Sequence, residues 1–493
     1  MTDLHASKDA PASTRAAPPG VAAPFAALLI AVLSFSLMQT MVVPVLPDLQ
    51  RAFAASTTGV SWVLSSFLIT ASVATALLGR VGDMFGKRRV LIGCLSVFAV
   101  GTLFCAMSDS LGMLVASRAV QGVGAAAFPL AFGIVREQFP HERVPVAIGL
   151  ISSTFGIGFG VGLVLPGPVV DTLGWRWIFW LALAVIVLGI LAVAAFIRES
   201  AHRSPGRVDW LGGLLLSGTV VALLLPISQG KSWGWSSPGV VGLCATAVLL
   251  GAAFVAVERR VPEPLIDMEL LRRPAVATSH LAALIIGFGM YGALTLVPLL
   301  AQTPPETGFG FGASVTESGL FMLPMAATML VASPLAGRIG AAIGFKLPLV
   351  LSCLIGAVGF AIYAAGHHSE WALYAGSGVL GVGVGIAYAS LANLVVTAVN
   401  PRQVGEATGI NTIMRTIGSS LGAQVAASVV ASQTVPGTRI PADSGYTTTF
   451  VMSAIALGVA TLVALAGPTS PRHGTGSHTE QTAPPEPSGS PTR

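Results

Sequence analysis

The feature that most constrains this chain is a succession of long apolar stretches, nearly free of charge and separated by short polar loops. Roughly 20 apolar residues suffice for a helix to cross the hydrocarbon core of a bilayer. The stretches fall at 22–46, 57–80, 88–107, 111–134, 144–170, 177–197, 210–228, 237–257, 275–301, 314–337, 347–366, 371–397, 403–431 and 447–467. They are too long for barrel strands and lack two-residue alternation. The expected class is therefore an all-α integral membrane protein with fourteen spans. Composition agrees: charged residues make up 10% of 493 and the mean hydropathy is +0.79, where soluble domains run near ~25% charged. A soluble enzyme and a disordered protein are excluded. The net charge of +5 is not gathered into a patch, which excludes a nucleic-acid partner.

Residues 1–20 contain Pro11, Pro18 and Pro19 and no apolar h-region, so they are read as a disordered cytoplasmic tail rather than a signal peptide. Residues 468–493, rich in Pro, Ser, Thr and Gly, are read as a second such tail. With the N-terminus inside, sixteen loop cations fall on the cytoplasmic side and four outside (Arg51, Arg176, Lys231, Arg439), which predicts that both termini are cytoplasmic. The four cysteines lie in apolar stretches and are read as small buried apolar residues. No metal or cofactor spacing is present.

Two loops share a pattern. Gly79-Arg80-Val81-Gly82-Asp83-Met84-Phe85-Gly86-Lys87 follows the second stretch, and Gly337-Arg338-Ile339-Gly340-Ala341-Ala342-Ile343-Gly344-Phe345-Lys346 follows the tenth. Both keep an aliphatic residue two places after the first glycine and another glycine seven places after it. The two loops hold equivalent ranks in six-helix sets if the seventh and eighth stretches are an insertion. The expected organisation is a six-helix bundle at 21–200, two inserted helices at 201–260, a cytoplasmic linker at 261–274 and a second bundle at 275–467. Two related halves with a site between them is a transporter plan.

On these residues the chain resembles the major facilitator superfamily, in particular its fourteen-span drug/proton antiporter branch, over about residues 25–467. Gly79-x-Val81-x-Asp83-x-x-Gly86-Lys87-Arg88-x-x-Leu91 matches the family's GxLxDRxGRRxxL loop. The resemblance implies a latch that closes the cytoplasmic side in one alternating-access state, made by Gly79, Asp83, Gly86, Lys87, Arg88 and Arg89. The bland alternative for the cations is a positive-inside anchor. Arg118-Ala119-Val120-Gln121-Gly122-Val123-Gly124-Ala125-Ala126 matches RxxQGxGAA. There the resemblance implies that Arg118, with Gln121, takes part in proton coupling, while Gly122 and Gly124 let helices approach closely. A guanidinium that far inside an apolar helix needs a partner or a wet cavity, unless it snorkels to the outer face. The fifth stretch departs from the family's GxxxGPxxGG. Aligned back from Gly174-Trp175-Arg176-Trp177, it reads Gly158-x-x-x-Gly162-Leu163-x-x-Pro166-Gly167. This places Gly156, Gly158, Gly160 and Gly162 on a packing face and moves the kink one turn outward.

A proton exchanger needs a carboxyl able to hold a proton inside the membrane. Members of the branch commonly carry an Asp in the first helix; Met38 stands at that place here. Glu317, in Ser314-Val315-Thr316-Glu317, is read as half of a capping box. Glu406 suits the first turn of its helix and, between Gly405 and Gly409, is also a coupling candidate facing the cavity. Arg415 lies nine residues deeper, about 13 Å at 1.5 Å per residue, and answers either a carboxylate or an anionic group of cargo. His280 is read as packed. Gln39, Tyr291 and Phe35 are candidate cavity residues. The expected function is export of amphipathic small molecules, drugs or antibiotics, by alternating access in exchange for protons, in the inner or plasma membrane and by a monomer. The partners are cargo, protons and the bilayer, with no cofactor and no enzymatic activity. A solute importer driven by proton symport is the alternative within transport, and a multispan membrane enzyme the alternative outside it.

Overall fold

The computed structural model of the chain describes residues 21–200, 209–262, 264–400, 403–434 and 441–467. Both terminal tails lie outside these residues. The first half contains α1 (Ala22–Met41), α2 (Thr57–Phe85), α3 (Lys87–Ala106), α4 (Leu111–Gln138), α5 (Val144–Val164) and α6 (Arg176–Phe196). Then come α7 (Trp210–Trp233) and α8 (Pro238–Glu258), followed by α9 (Pro274–Gln302), α10 (Leu323–Ile343), α11 (Lys346–Gly366), α12 (Glu370–Ala398), α13 (Val404–Ser432) and α14 (Asp443–Ala466). Against the fourteen spans expected, twelve helices among the described residues are long and apolar enough to cross a membrane, and α9 and α13 fall outside that number. α13 is the helix that carries Glu406, Asn411, Arg415 and Gln424. The chain is a multi-pass membrane protein.

Local chemistry explains where these helices begin and end. Side chains of Ser56, Ser110, Asp209, Ser237 and Ser369 accept the backbone N–H three residues on, capping α2, α4, α7, α8 and α12. Ser314 and Glu317 form the expected capping box. The repeated loops share one backbone device. Gly86 and Gly344 end α2 and α10 with φ of 107° and 90°, and each donates its N–H to the glycine four residues back. Only glycine takes that conformation cheaply, which is why the spacing recurs in both loops.

Two large buried apolar clusters form, one centred on the first half and one on the second. In the first, Phe35 stacks on Phe67 at 5.4 Å. In the second, Tyr363 and Phe450 lie 5.2 Å apart. The halves join chiefly through α5 with α10 and α2 with α13, with α12 also against α5 and α13 against α4. α7 lies against both α2 and α13, while α8 packs mainly on α7. Cys244 on α8 is exposed, unlike Cys94, Cys105 and Cys353; the helix that bears it is the least buried of the spans, so its apolar surface faces outward.

The glycines of α5 do not share one face. Gly158 and Gly162 oppose Ser36 and Thr40 of α1, and the Thr40 hydroxyl donates to the Gly158 carbonyl at 2.6 Å. Gly156 and Gly160 oppose Met329 and Ala326 of α10. Glycines two apart point about 200° away from one another on a helix, so this helix approaches both neighbours closely. It breaks at Leu165, and a short helix restarts at Pro166 (Pro166–Leu173), where Gly167 meets Thr316.

Candidate functional site

At the Asp83 end the halves are sealed to each other. Gly79 lies against the Gly405 backbone, so that a side chain at either position would strike the other strand of backbone. Asp83, 1% exposed, accepts the Gly405 N–H at 3.1 Å in the first turn of α13. A carboxylate there satisfies an orphan amide and meets the positive end of the helix. Lys87, also 1% exposed, pairs with Asp83 at 3.0 Å and with Glu137. Glu137 in turn accepts the Ser200 hydroxyl at 2.6 Å. The buried cation therefore has two carboxylates, which offsets the desolvation of the group. Arg80 stands 3.9 Å from Glu406, whose other oxygen accepts the Asp267 N–H at 2.7 Å.

The second half repeats the contact without the charge. Gly337 lies against Pro145 and Val146 at the start of α5, as Gly79 lies against the start of α13. Ala341 occupies the place of Asp83. Asn393 adds a bond to the Pro145 carbonyl at 3.3 Å. The seal is two-fold in backbone packing and one-fold in electrostatics.

Of the predicted latch residues, Gly79 and Asp83 reach across the halves. Lys87 acts through Asp83. Arg88 donates to the Ala194 carbonyl at 2.6 Å and Arg89 pairs with Glu199 at 3.3 Å, both within the first half. Gly86 leaves no room for a side chain beside Glu199.

Arg118 is fully buried and does not snorkel. It donates to the Val63 carbonyl at 3.1 Å and to Gln121 at 2.7 Å, and its guanidinium lies 4.0 Å from the centre of the Phe67 ring. Gln121 continues the chain to Thr102 at 2.8 Å. One Arg118 nitrogen, Nη2, is without a hydrogen-bond partner. Next to this residue α4 narrows into a 3-10 turn over Gly122–Ala126. Gly122 rests on the α2 backbone and Gly124 on the Phe98 ring. Among the described residues no carboxylate pairs with Arg118. The structure does not bring it to Glu406 or Arg415.

A cavity of about 330 Å³ lies between the halves, away from the Asp83 end. Gln39 and Thr40 of α1, Ser65 of α2 and Gln424 of α13 form part of its polar wall. Leu224 and Ser228 of α7 also line it. Phe155 of α5, Tyr388 of α12 and Arg415 make a layer shared with a much smaller chamber nearer the Asp83 end. The Arg415 guanidinium lies 4.3 Å from the Tyr388 ring centre and 4.7 Å from that of Phe155.

Two cavity readings change, and a third falls outside the described residues. Phe35 is 4% exposed inside the first-half core, caged by Phe67, Phe98 and Phe128, and does not line the cavity. Glu406 faces Arg80 and the linker rather than the cavity, because it sits in the first turn of α13 at the sealed end. The side chain of Tyr291 lies outside the described residues. Phe155, Tyr388 and Gln424 were missed by sequence reasoning; an aromatic among the glycines of α12 (Gly381, Gly383, Gly385) was the available signal for Tyr388. His280 is packed beside Asn411. Among the described residues one grouping has metal-ligand geometry: His367, His368 and Asp443 at the far end of the second half, their ligand atoms within 4.8 Å of one another.

Helices paired about a central cavity, with glycine loops repeated in each half, define a secondary-transporter architecture. The sequence profile of the Major Facilitator Superfamily matches residues 28–423 and 279–490, and the chain belongs to that family. It is 34% identical over 407 residues to the MFS-type transporter Rv1877 of Mycobacterium tuberculosis, covering 80% of this chain and 57% of that protein. The chain thus spans little more than half the length of that relative. It is 31% identical over 376 residues to the multidrug resistance protein Stp of Mycobacterium tuberculosis, covering 76% of this chain and 69% of Stp. The fold is similar to that of the crystal structure of the human organic anion transporter MFSD10, with a TM-score of 0.67 and 16% identity over 90% of this chain and all of that one.

Proposed function

We propose that the chain is a drug exporter working by alternating access in exchange for protons, and that its cargo is an amphipathic small molecule. One observation carries this reading: a cavity of small-molecule size between two halves that are sealed to each other at one end. The similarity to a multidrug resistance protein supports the choice of cargo. The cation count supports a cytoplasmic sealed end, with both termini on that side and the cavity turned outward in this state. We count α9 and α13 as spans, which makes fourteen in a monomer of an inner or plasma membrane. In this reading Gly79, Asp83 and Lys87 are the gate, Arg88 and Arg89 brace its base, and Glu406 is the carboxyl that trades the proton. Arg118 and Gln121 hold α4 against α2 and α3 across the 3-10 turn.

The test is efflux by cells and proteoliposomes containing wild type, Asp83→Asn, Arg118→Ala, Glu406→Gln or Arg415→Ala. Wild type is expected to extrude a lipophilic dye and to stop when the proton gradient is collapsed. Each variant is expected to lose most of the activity at unchanged membrane expression. Full efflux by Glu406→Gln removes Glu406 as the coupling acid, and efflux indifferent to the gradient removes proton exchange.

A further inference from the structure

We propose that the cavity is selective for planar aromatic cargo bearing a delocalised negative charge, a phenolate or carboxylate, with Arg415 as the anion-recognising residue. This rests on the exporter reading and names its cargo.

Among the described lining residues Arg415 is the one that carries a formal charge; the other polar lining groups are hydroxyls and amides. An arginine stays protonated inside a protein. Among the described residues, no carboxylate lies within ion-pair distance of it. A charge held in a low-dielectric cavity without a counter-charge is costly, and the counter-charge that remains available is one carried in by cargo. The surroundings also fix the geometry. Phe155 and Tyr388 hold the guanidinium within 4.7 Å of their ring centres, a contact that satisfies the faces of the group while hydrogen bonds from its edge remain to be made. That edge is a planar fork matched to a carboxylate or to adjacent oxygens on a ring.

The contrast with Arg118 shows that burial alone does not produce this arrangement. Arg118 has a backbone carbonyl and a glutamine on its fork and lies inside one half. Arg415 has neither a carbonyl nor an amide among its hydrogen-bond partners in the described residues, and it lies where the halves meet: Phe155 comes from the first half and Tyr388 from the second, their rings 5.4 Å apart. The place that would hold an acid for cationic cargo is Met38, which is fully buried and apolar. The cavity is therefore positive, aromatic at its floor and hydrogen-bonding at its walls.

Two xanthene dyes of like shape and opposite charge, fluorescein and rhodamine 123, separate the possibilities. Binding to purified protein in detergent is read by fluorescence anisotropy, and transport by proteoliposomes is read in parallel. Fluorescein is expected to bind at least about tenfold more tightly than rhodamine 123, the scale of one charge-assisted hydrogen bond. Arg415→Gln should abolish that preference, Arg415→Lys should retain part of it, and Tyr388→Phe should retain most of it. Equal or tighter binding of rhodamine 123 by wild type overturns the inference, and that arm needs no variant to fold. A preference unchanged in Arg415→Gln overturns it too. Selective binding of fluorescein without transport of either dye leaves this site standing and overturns the exporter reading instead.

Discussion

At the scale of single residues, the proposed gate rests on the close approach of Gly79 to the Gly405 backbone and on the charged pair Asp83 and Lys87. Gly79 meets Gly405 backbone to backbone, so Gly79→Ala forces the halves apart at that point. Overpacking of this kind costs about 1–3 kcal/mol, enough to move a two-state equilibrium by about tenfold or more. Efflux by Gly79→Ala should fall by about that factor, while Gly93→Ala, whose added methyl meets nothing within 4 Å, should transport as wild type. Initial dye-efflux rates normalised to membrane expression compare the two. Asp83→Asn keeps the shape and loses the charge that holds the Gly405 N–H and Lys87. Hydrogen bonds to charged groups contribute about 1.5–3 kcal/mol, so amide exchange in the first turn of α13 should accelerate by about tenfold or more in hydrogen-exchange mass spectrometry. Unchanged exchange there would show that backbone packing alone keeps the seal. Much of this gate was legible beforehand, because glycines seven apart followed by a cation form a local pattern. Its partner was not: Gly405 is 322 residues from Asp83, and nothing in either segment names the other.

At the scale of helices, the sequence was read well where one element decides the outcome and poorly where two elements share it. The Ser314–Glu317 box, the one cap expected from the sequence, is set by residues within three positions of one another. By contrast, the four glycines of α5 looked like one packing face and serve two, because their partners lie on α1 and α10. Phe35 looked available to a cavity until α2, α3 and α4 surrounded it. The facing ends of α11 and α14, at His367 and Asp443, provide a test at this scale. His367 and His368 both approach one oxygen of Asp443, at 2.6 and 2.8 Å, and the other ring nitrogen of His367 lies 2.8 Å from the Tyr363 carbonyl. Asp443→Ala removes the common acceptor. The apparent Tm in detergent should drop by several degrees, for a loss of about 1–3 kcal/mol, with efflux unchanged because these residues lie outside the cavity lining. A Tm equal to that of wild type would mean that the α11–α14 packing is sufficient without the tie.

For the whole molecule, the two halves are alike in backbone and unlike in charge: Asp83 has no counterpart at Ala341, and among the described lining residues Arg415 gives the cavity its sign. A six-plus-two-plus-six plan could be read from the repeated loops, but the seat of the inserted pair could not, since α7 shows no dominant polar or apolar face that declares a preferred neighbour. Its place has a mechanical consequence. α5 and α10 are tightly joined along one seam, and along the other α7 covers the gap between α2 and α13. Ser228 and Gln229 tie α7 to Ser65 of α2, whereas towards α13 it offers the Ser228 carbonyl to Gln424 and an apolar contact around Leu224, Ile413 and Ile417. Two of these side-chain hydrogen bonds run to α2 and one to α13, so in the rocking stroke proposed above α7 is expected to travel with the first half and slide against α13. On the proposed mechanism α7 would then act as a shutter fixed to one jamb, confining traffic to the long axis of the protein and denying lipid tails a sideways door into the chamber.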